Sequence, residues 1–181
     1  MNIDVFKDLP REKLLDLLEM SCRNFRTLDG FWFLCVEEKY GTEAAALVDE
    51  IAWARMAPVE AKRLKQTLNL AQSGIGGVIE AMRNSMTWMS FAGDFDIEQV
   101  SENKAVFRVH QCLPQRARME KQMGYFPCKG VEQASLYGFA RVIEPRIKVR
   151  CGFAPPDQSP DGPDCEWLFE IEPEDAGQAH T

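Results

Sequence analysis

The sequence predicts an α+β fold, in which an N-terminal helical bundle is followed by an antiparallel sheet. Two observations lead to this prediction. From residue 10 to about residue 86, apolar side chains recur at the three- and four-residue spacing of amphipathic helices. Beyond this point the spacing changes to two in two pairs of segments, as in half-buried strands, and two helical segments lie between the pairs. The second half therefore has the predicted order β-β-α-α-β-β.

The length of 181 residues is enough for a substantial core. We expect residues 1–87 to form a helical region and residues 88–172 an α+β region of the ligand-binding kind. Together they are expected to be one compact unit, with residues 173–181 as a flexible acidic tail.

Pro10 and Gly41 bound the first helical stretch, since proline favours the first turn of a helix and glycine favours its C-terminal end. The segment 29–41 is apolar on every side in its first half, so it predicts a buried helix. One inward face before it is expected to carry Leu14, Leu18, Cys22 and Phe25.

Thr42, Pro58 and a glycine-rich segment divide the rest of the helical half. Thr42 is predicted to cap one helix and Pro58 to begin another. The segment SGIGG, residues 73–77, is expected to break the pattern before a last helix that ends near Met86. The inward residues of the two longer helices are predicted to be Leu47, Val48, Ile51, Leu64 and Leu68.

The first hairpin is predicted to turn at Glu102, because that register matches both faces of the two strands. It joins apolar residues on one face and opposite charges on the other. The predicted pairs are Ile97 with Phe107, Phe95 with Val109, Asp96 with Arg108, and Asp94 with His110. In this register Cys112 projects from the face opposite the core.

The second hairpin is predicted within residues 147–171, with its centre near Gln158. The predicted pairs are Cys151 with Cys165, Val149 with Trp167, and Ile147 with Phe169, all on an apolar face. Of the two helical segments that precede it, the second places Leu136, Phe139, Ala140 and Ile143 on one side and ends before Pro145.

Composition excludes several classes of protein. The formal charge of -7 argues against a nucleic-acid-binding surface, which needs clustered lysine and arginine. No apolar stretch has the length of a membrane helix, and the N-terminus has no signal-peptide pattern, so we expect a cytoplasmic protein. The six cysteines are then expected to be reduced.

Four of the cysteines, Cys112, Cys128, Cys151 and Cys165, fall at the ends of predicted elements. The simplest interpretation is that they are small core residues. A second is that all four bind a structural zinc ion, although their spacing matches no common zinc motif. A third concerns Cys128 alone: a helix N-terminus and the neighbouring Lys129 would both favour its thiolate form.

Few other residues could take part in catalysis. His110 beside Asp94 could be a base with its orienting carboxylate, but a surface ion pair is the favoured interpretation. Arg116 and Arg118 could bind a ligand carboxylate, whereas a solvated helix face is favoured for both. A metal site with two histidines is excluded, because the only other histidine is His180 in the tail.

A family resemblance rests on the runs CLPQRARMEKQMGYFPCKGVE, FARVIEPRIKVRCGFAPPD and CEWLFEI, with FRTLDGFWFLCVEEKYG in the first half. They resemble an uncharacterised family of prokaryotic cytosolic proteins. That family is similar to the L-2-amino-thiazoline-4-carboxylic acid hydrolase family and, more faintly, to vinyl-4-reductase-type small-molecule-binding domains. The resemblance implies a ligand pocket between sheet and helices. The residues that carry over are Cys112, Cys128, Cys151, Cys165, Arg116 and Arg118.

These observations favour a small-molecule-binding protein with a thiol-lined pocket, hydrolase-like on a small carboxylate-bearing amidine or acyl compound. In the enzymatic version Cys128 attacks the substrate, and His110 or Glu132 moves the proton. The ligand-binding residues would be Arg116, Arg118 and Cys112. One alternative is a zinc protein that uses the four late cysteines, and another is a non-enzymatic homodimer formed through the N-terminal helices.

Overall fold

The computed structural model describes residues 3–157 and 162–172, and in these residues the predicted α+β order is confirmed. The predicted hairpin centre near Gln158 and the acidic tail lie outside the described residues. A 3-10 turn, Asp4–Phe6, precedes the helices. The elements are α1 Arg11–Tyr40, α2 Thr42–Thr67, α3 Gly74–Arg83, α4 Met86–Phe91, β1 Ala92–Ser101, β2 Lys104–Cys112, α5 Leu113–Glu120, α6 Lys129–Ile143, β3 Ile147–Phe153 and β4 Cys165–Ile171.

Helix α1 is continuous from Arg11 to Tyr40 and ends, as predicted, at Gly41, whose φ of 87° suits glycine. The prediction that residues 29–41 form a buried helix is wrong. Phe31 is 62% exposed and Trp32 is 68% exposed, and α1 has no fully buried residue. This segment of α1 has apolar side chains on every side. The single chain therefore leaves a large apolar surface of the helix exposed to solvent.

Helix α2 passes through Pro58 without ending, so the prediction that Pro58 begins a new helix is wrong. The predicted inward residues Leu47, Val48 and Ile51 are exposed, as is Leu68, and Leu64 alone packs against the core. The face that α2 buries carries small residues and one tryptophan, namely Ala45, Trp53, Ala57 and Ala61. Gly41 caps this helix, and Thr42, its first residue, donates its hydroxyl to Glu37 over 2.7 Å.

The small residues of α2 allow a close approach to α6, which explains why the large ones face outward. A Cβ atom at Gly138 of α6 would lie 3.2 Å from Pro58 Cγ. Ala57 and Ala61 are at most 2% exposed. Two helices that pack at such short range need alanine and glycine at the contact, so the larger apolar residues lie on the opposite side of α2.

Helices α3 and α6 cover one face of the four-stranded antiparallel sheet, whose strand order is β1-β2-β4-β3. Helix α2 packs on α6, and α1 packs on α2 and α4. The predicted buried face of α6 is confirmed in full. The main core contains residues from both halves of the chain, among them Phe107, Leu136, Phe139, Trp167 and Phe169.

The first hairpin has the predicted register for three of its four pairs, Ile97–Phe107, Phe95–Val109 and Asp96–Arg108. The fourth prediction is wrong, since Asp94 pairs with Gln111. Strand β2 has an extra residue at His110, and β1 has an extra residue at Gly93. The pairing of the two strands is therefore irregular at both positions. Such a bulge changes which face the following side chains occupy, and alternation in the sequence does not reveal it.

The second hairpin differs from the prediction by two residues. Val149 pairs with Phe169 and Cys151 pairs with Trp167, so Cys151 and Cys165 are not opposite each other. Cys165 instead pairs with Val109 of the central strand β2. A shift of two residues leaves every side chain on its predicted face, so the alternating pattern alone could not detect it.

The outer face of the sheet carries the charged residues that the alternation predicted. Arg108 Nε donates to Glu166 over 2.8 Å, and its guanidinium also contacts Asp96 and Glu98. Lys104 lies 2.7 Å from Glu170. These ion pairs are solvated, so each is expected to contribute little to stability. In the part of the chain that is described, no helix has both the length and the apolar character needed to cross a membrane.

The glycine-rich segment begins α3 instead of only breaking the pattern, with Ser73 at the N-cap. A Cβ atom at Gly77 would lie 2.4 Å from the Gln72 carbonyl oxygen and 2.8 Å from its carbon. Both contacts involve backbone, so they cannot be relieved by a change of rotamer.

We therefore expect Gly77→Ala to lower the free energy of unfolding by roughly 1 to 3 kcal/mol through overpacking. The matched control is Gly30→Ala in α1, where no atom lies within 4 Å of the added Cβ. That change should raise stability by about 0.5 to 1 kcal/mol, since alanine is the better helix former. Urea unfolding of both variants measures the difference, and equal stabilities would contradict the close contact at Gly77.

Candidate functional site

A cavity of about 330 Å³ lies between the helical half and one end of the sheet. Helices α1, α2, α4, α5 and α6 contribute to its wall, together with the ends of β2 and the start of β4. The wall is largely apolar, with six aromatic side chains: Phe31, Phe33, Trp53, Trp88, Phe91 and Phe126. This combination of size and apolar lining is typical of sites for small organic molecules.

The first two turns of α6 present a row of side chains to the cavity. Cys128 is the N-cap of the helix, and Glu132 and Ser135 follow at the spacing of successive turns. Gln115 of α5 holds the preceding loop in place, because its side chain exchanges two hydrogen bonds with the Phe126 backbone, at 2.9 and 3.1 Å. The loop in turn places Cys128 against the cavity.

Helix α4 is fixed to α2 by one carboxylate. Glu60 of α2 accepts hydrogen bonds from the Ser85 hydroxyl at 2.8 Å, from the Thr87 hydroxyl at 2.5 Å and from the Thr87 amide at 3.2 Å. A carboxylate at a helix N-terminus satisfies amides that have no partner within the helix. This contact positions Trp88 and Phe91, which form the α4 side of the cavity.

Three thiols line the cavity: Cys112, Cys128 and Cys165. The prediction that Cys112 lies on the opposite sheet face is wrong, since the bulge at His110 turns it inward. The Cys112 amide also donates to Asp164 over 2.6 Å, which ties the end of β2 to the start of β4. Three of the four late cysteines thus lie in the wall of one cavity.

The environment of these thiols favours the neutral form. Burial raises the pKa of Cys112 to about 12 and raises the pKa values of Cys128 and Cys165 as well, with the Glu132 charge adding to each shift. The predicted thiolate at Cys128 is therefore wrong. Loss of hydration outweighs the helix dipole, and Lys129 extends away to Asp157, 3.1 Å distant.

Cys151 does not line the cavity with the other three thiols. The charged groups that act on it are Lys129 and Asp157. All six cysteines are free thiols. Within residues 3–157 and 162–172, no group of three or more histidine, cysteine, aspartate or glutamate side chains is arranged to hold a metal ion. The geometry thus offers no support for a zinc site that uses Cys112, Cys128, Cys151 and Cys165.

His110 lies on the outer face of the sheet and not in the cavity. Its Nε2 is 2.6 Å from Asp96 Oδ2, and both side chains are exposed. The interpretation as a surface ion pair agrees with the structure, although the partner is Asp96 and not Asp94. His110, one of the two residues predicted to move a proton for Cys128, is therefore not in the cavity with it.

The two arginines have different positions. Arg116 is exposed and is not part of the cavity wall. Arg118 is buried in the wall, where its guanidinium donates to both oxygens of Glu37, each at 2.8 Å, and to the Gly124 carbonyl at 3.0 Å. This pairing lowers the pKa of Glu37. Arg118 does bind a carboxylate, but the carboxylate belongs to α1.

Two further carboxylates in the cavity wall, Asp29 of α1 and Asp49 of α2, were not predicted from the sequence. Burial raises the pKa of Asp29 to about 6, and burial together with the charges of Asp29 and Glu132 raises the pKa of Asp49 to about 7. The Trp53 side chain opposes both shifts by hydrogen bonding. One sequence pattern could have indicated these two aspartates. Each lies one helical turn before an aromatic residue, as in Asp29–Phe33 and Asp49–Trp53.

Glu132 completes this group from the α6 side, and burial raises its pKa to about 7. Its Oε2 atom is buried and has no hydrogen-bond partner among the described residues. Buried polar atoms are normally paired, so an unpaired carboxylate oxygen in a cavity wall points to an interaction that the single chain does not supply. Of the three predicted catalytic residues, Cys128 and Glu132 thus meet in the cavity.

The Glu132 environment predicts a dependence of stability on pH. A folded-state pKa of about 7 lies above the ordinary value of 4.5, so the folded chain binds more protons between these limits than the unfolded chain. Stability must fall as pH rises through this window. Glu132→Gln cannot ionise, so we expect it to be more stable than the wild type at pH 8 by about 2 to 3 kcal/mol.

At pH 4.5 or below the two proteins should be nearly equal in stability. Thermal and urea unfolding at both pH values provide the measurement, and Glu120→Gln on the exposed side of α5 is the matched control. A variant that is less stable than the wild type at pH 8 would show that Glu132 is stabilised in its charged form.

Comparisons with known proteins give one match. Residues 7–171 match a family whose description is "Family of unknown function (DUF6125)". No curated protein and no solved structure matches the chain. The resemblance to the amino-thiazoline hydrolase family is not tested by these comparisons and stays a prediction. Because the match spans nearly the whole chain, the protein belongs to the family of unknown function DUF6125.

Proposed function

We propose that the protein binds a small organic molecule in the cavity between its helical half and its sheet. The observation that carries the proposal is the cavity itself, about 330 Å³ in volume and lined by aromatic and aliphatic side chains with a few polar groups. Sites of this kind bury most of the surface of a small ligand, and their few polar groups determine its orientation.

An open side gives a ligand access to the cavity. Several lining residues are exposed to solvent, and they lie on α1 and on α5 and the loop after it: Thr27, Phe31, Ala117, Lys121 and Met123. The buried polar residues lie deeper, on α2 and α6. A ligand that enters between α1 and α5 would therefore pass these exposed residues first and reach the carboxyl groups of Asp49 and Glu132 afterwards.

The proposal concerns binding and not hydrolysis. A cysteine hydrolase needs a thiolate and a group that moves protons. Burial keeps the Cys128 pKa high, and His110 is on the outer face of the sheet. Glu132 is the group in position to exchange a proton with Cys128, but burial and the Glu132 charge both disfavour the charge that would develop on sulfur. The three neutral thiols instead supply polarisable apolar surface.

The ligand that we propose differs from the predicted carboxylate-bearing compound. Arg118 is fully engaged by Glu37, and Arg116 is outside the cavity. A ligand carboxylate would therefore lie close to acidic side chains, and the other guanidinium of the wall, that of Arg26, donates to the Ser90 carbonyl. The predicted apolar or amidine part of the ligand is compatible with the cavity.

We expect Ala117→Trp to abolish binding of a neutral apolar dye, N-phenyl-1-naphthylamine, because the indole would cover the open side. Ala117 is exposed, so the change should leave the fold intact. Fluorescence titration measures the binding. The matched control is Met119→Trp, which adds an indole to the same helix at an exposed position outside the cavity wall. Unaltered dye binding by Ala117→Trp would refute the site.

A second proposal concerns the apolar surface of α1 and α2, and we infer that a second copy of the chain covers it. The exposed large residues there are Leu14, Leu15, Leu18, Leu28, Trp32, Leu47, Val48 and Ile51. Monomeric proteins rarely expose so many together, and an incompletely packed helix of 30 residues gains little stability by itself.

The surface contains both parts of a self-complementary interface. A groove between the two helices is lined by small and large apolar residues, including Phe25, Val36, Ala45 and Ala52. Exposed large side chains flank it, so a twofold axis would let each copy insert side chains into the groove of the other. Such isologous contacts are the commonest basis of homodimers.

We expect light scattering to give twice the chain mass of 20.6 kDa for the wild type. Trp32→Glu should give the monomer mass, because a charge on this surface would be buried without a partner. Tyr137→Glu, at an exposed position on α6, is the matched control and should remain dimeric. A monomeric wild-type protein at micromolar concentration would overturn the proposal.

A further inference from the structure

We propose that the ligand of the cavity carries a protonated amine or amidine group that Glu132 binds together with Asp49 and Asp29, while an apolar body occupies the aromatic part. This inference rests on the proposed binding function and specifies its ligand class. It is carried by two separate observations: an unpaired buried carboxylate oxygen, and the convergence of three carboxyl groups from three helices on one apolar cavity.

The first observation is the state of Glu132 Oε2. It is buried, it lines the cavity, and no described residue donates a hydrogen bond to it. Glu37 and Glu60, by contrast, have donors within the chain, namely Arg118 for Glu37 and Ser85 and Thr87 for Glu60. A donor that enters the cavity would supply the missing partner of Glu132, and a cation with N–H groups is the strongest such donor.

The second observation is the placement of Asp29 and Asp49. They come from α1 and α2, and the charges of Asp29 and Glu132 both raise the pKa of Asp49. Like charges that converge in an apolar wall repel one another and disfavour the empty site. A single positive charge among them removes the repulsion. This relief adds to the binding free energy of a cation, so the three buried acids favour a cationic ligand.

The positive groups of the cavity wall do not fill this role. Arg118 is bound to Glu37, and the Arg26 guanidinium donates to the Ser90 carbonyl. Lys121 is exposed on the open side. The cation is organic and not a metal ion, since the described residues contain no group arranged as metal ligands and most of the wall is apolar. Aromatic faces beside the carboxyl groups, above all Trp53, also favour an organic cation.

The test uses three probes with the same apolar body: 3-phenylpropylamine, 3-phenylpropanol and 3-phenylpropanoate. Calorimetric titration at pH 8 compares their affinities for the full-length protein. We expect the wild type to bind the amine at least roughly tenfold more tightly than the alcohol, which corresponds to one charge-assisted hydrogen bond. The carboxylate should bind most weakly, because it is repelled by the acidic side chains.

Glu132→Gln should lower the affinity for the amine roughly tenfold and leave that for the alcohol within about twofold. Retained binding of the alcohol shows that the variant is folded and its cavity intact. Glu120→Gln on the exposed side of α5 is the matched control and should behave as the wild type in all three titrations.

The outcomes separate this inference from the function on which it rests. Equal affinities of the wild type for the amine and the alcohol would overturn the cationic ligand class and leave the binding function standing. The same conclusion would follow if Glu132→Gln bound the amine as tightly as the wild type does. Absence of binding for all three probes, together with absence of dye binding, would overturn both.

Discussion

The close packing of α2 on α6 determines how the rest of the molecule is arranged. Alanine residues on α2 and Gly138 on α6 bring the two helices near enough for a glycine and Pro58 to be in van der Waals contact. This contact places α6 between α2 and the sheet, and it turns the large apolar residues of α2 outward. It also brings Asp49 of α2 and Glu132 of α6 to the same cavity, where the Glu132 charge raises the pKa of Asp49.

The two kinds of carboxylate in the interior show how the chain separates structure from binding. Glu37 and Glu60 have donors within the chain, and they join α1 to α5 and α2 to α4. Asp29, Asp49 and Glu132 share a largely apolar wall, and burial raises the pKa of all three. Asp29, Asp49 and Glu132 lower the stability of the folded chain when they ionise. Their presence is therefore better explained by a ligand than by folding.

The features that the sequence predicted correctly are those that depend on the spacing of its apolar residues. The class, the element order of the second half, the buried face of α6 and three pairs of the first hairpin followed from spacings of two and of three to four residues. Periodicity cannot detect a two-residue shift of register, such as that of β3 on β4, because every side chain keeps its face. It also cannot show the bulge at His110, which turns Cys112 towards the other thiols.

The errors in the helical half have one physical origin, which also bears on function. The prediction assigned large apolar residues of α1 and α2 to the inside, as it would for a monomer with one core. In the structure alanines face α6, whereas Trp32, Leu47 and Val48 face solvent. These apolar residues are exposed in the single chain, and the homodimer that we propose would bury them against a second copy. Asp29 and Phe33 lie on the boundary between this surface and the cavity, since both line the cavity and the groove. A partner on the groove would therefore also exclude water from one side of the cavity wall, and so strengthen its electrostatic interaction with a bound cation.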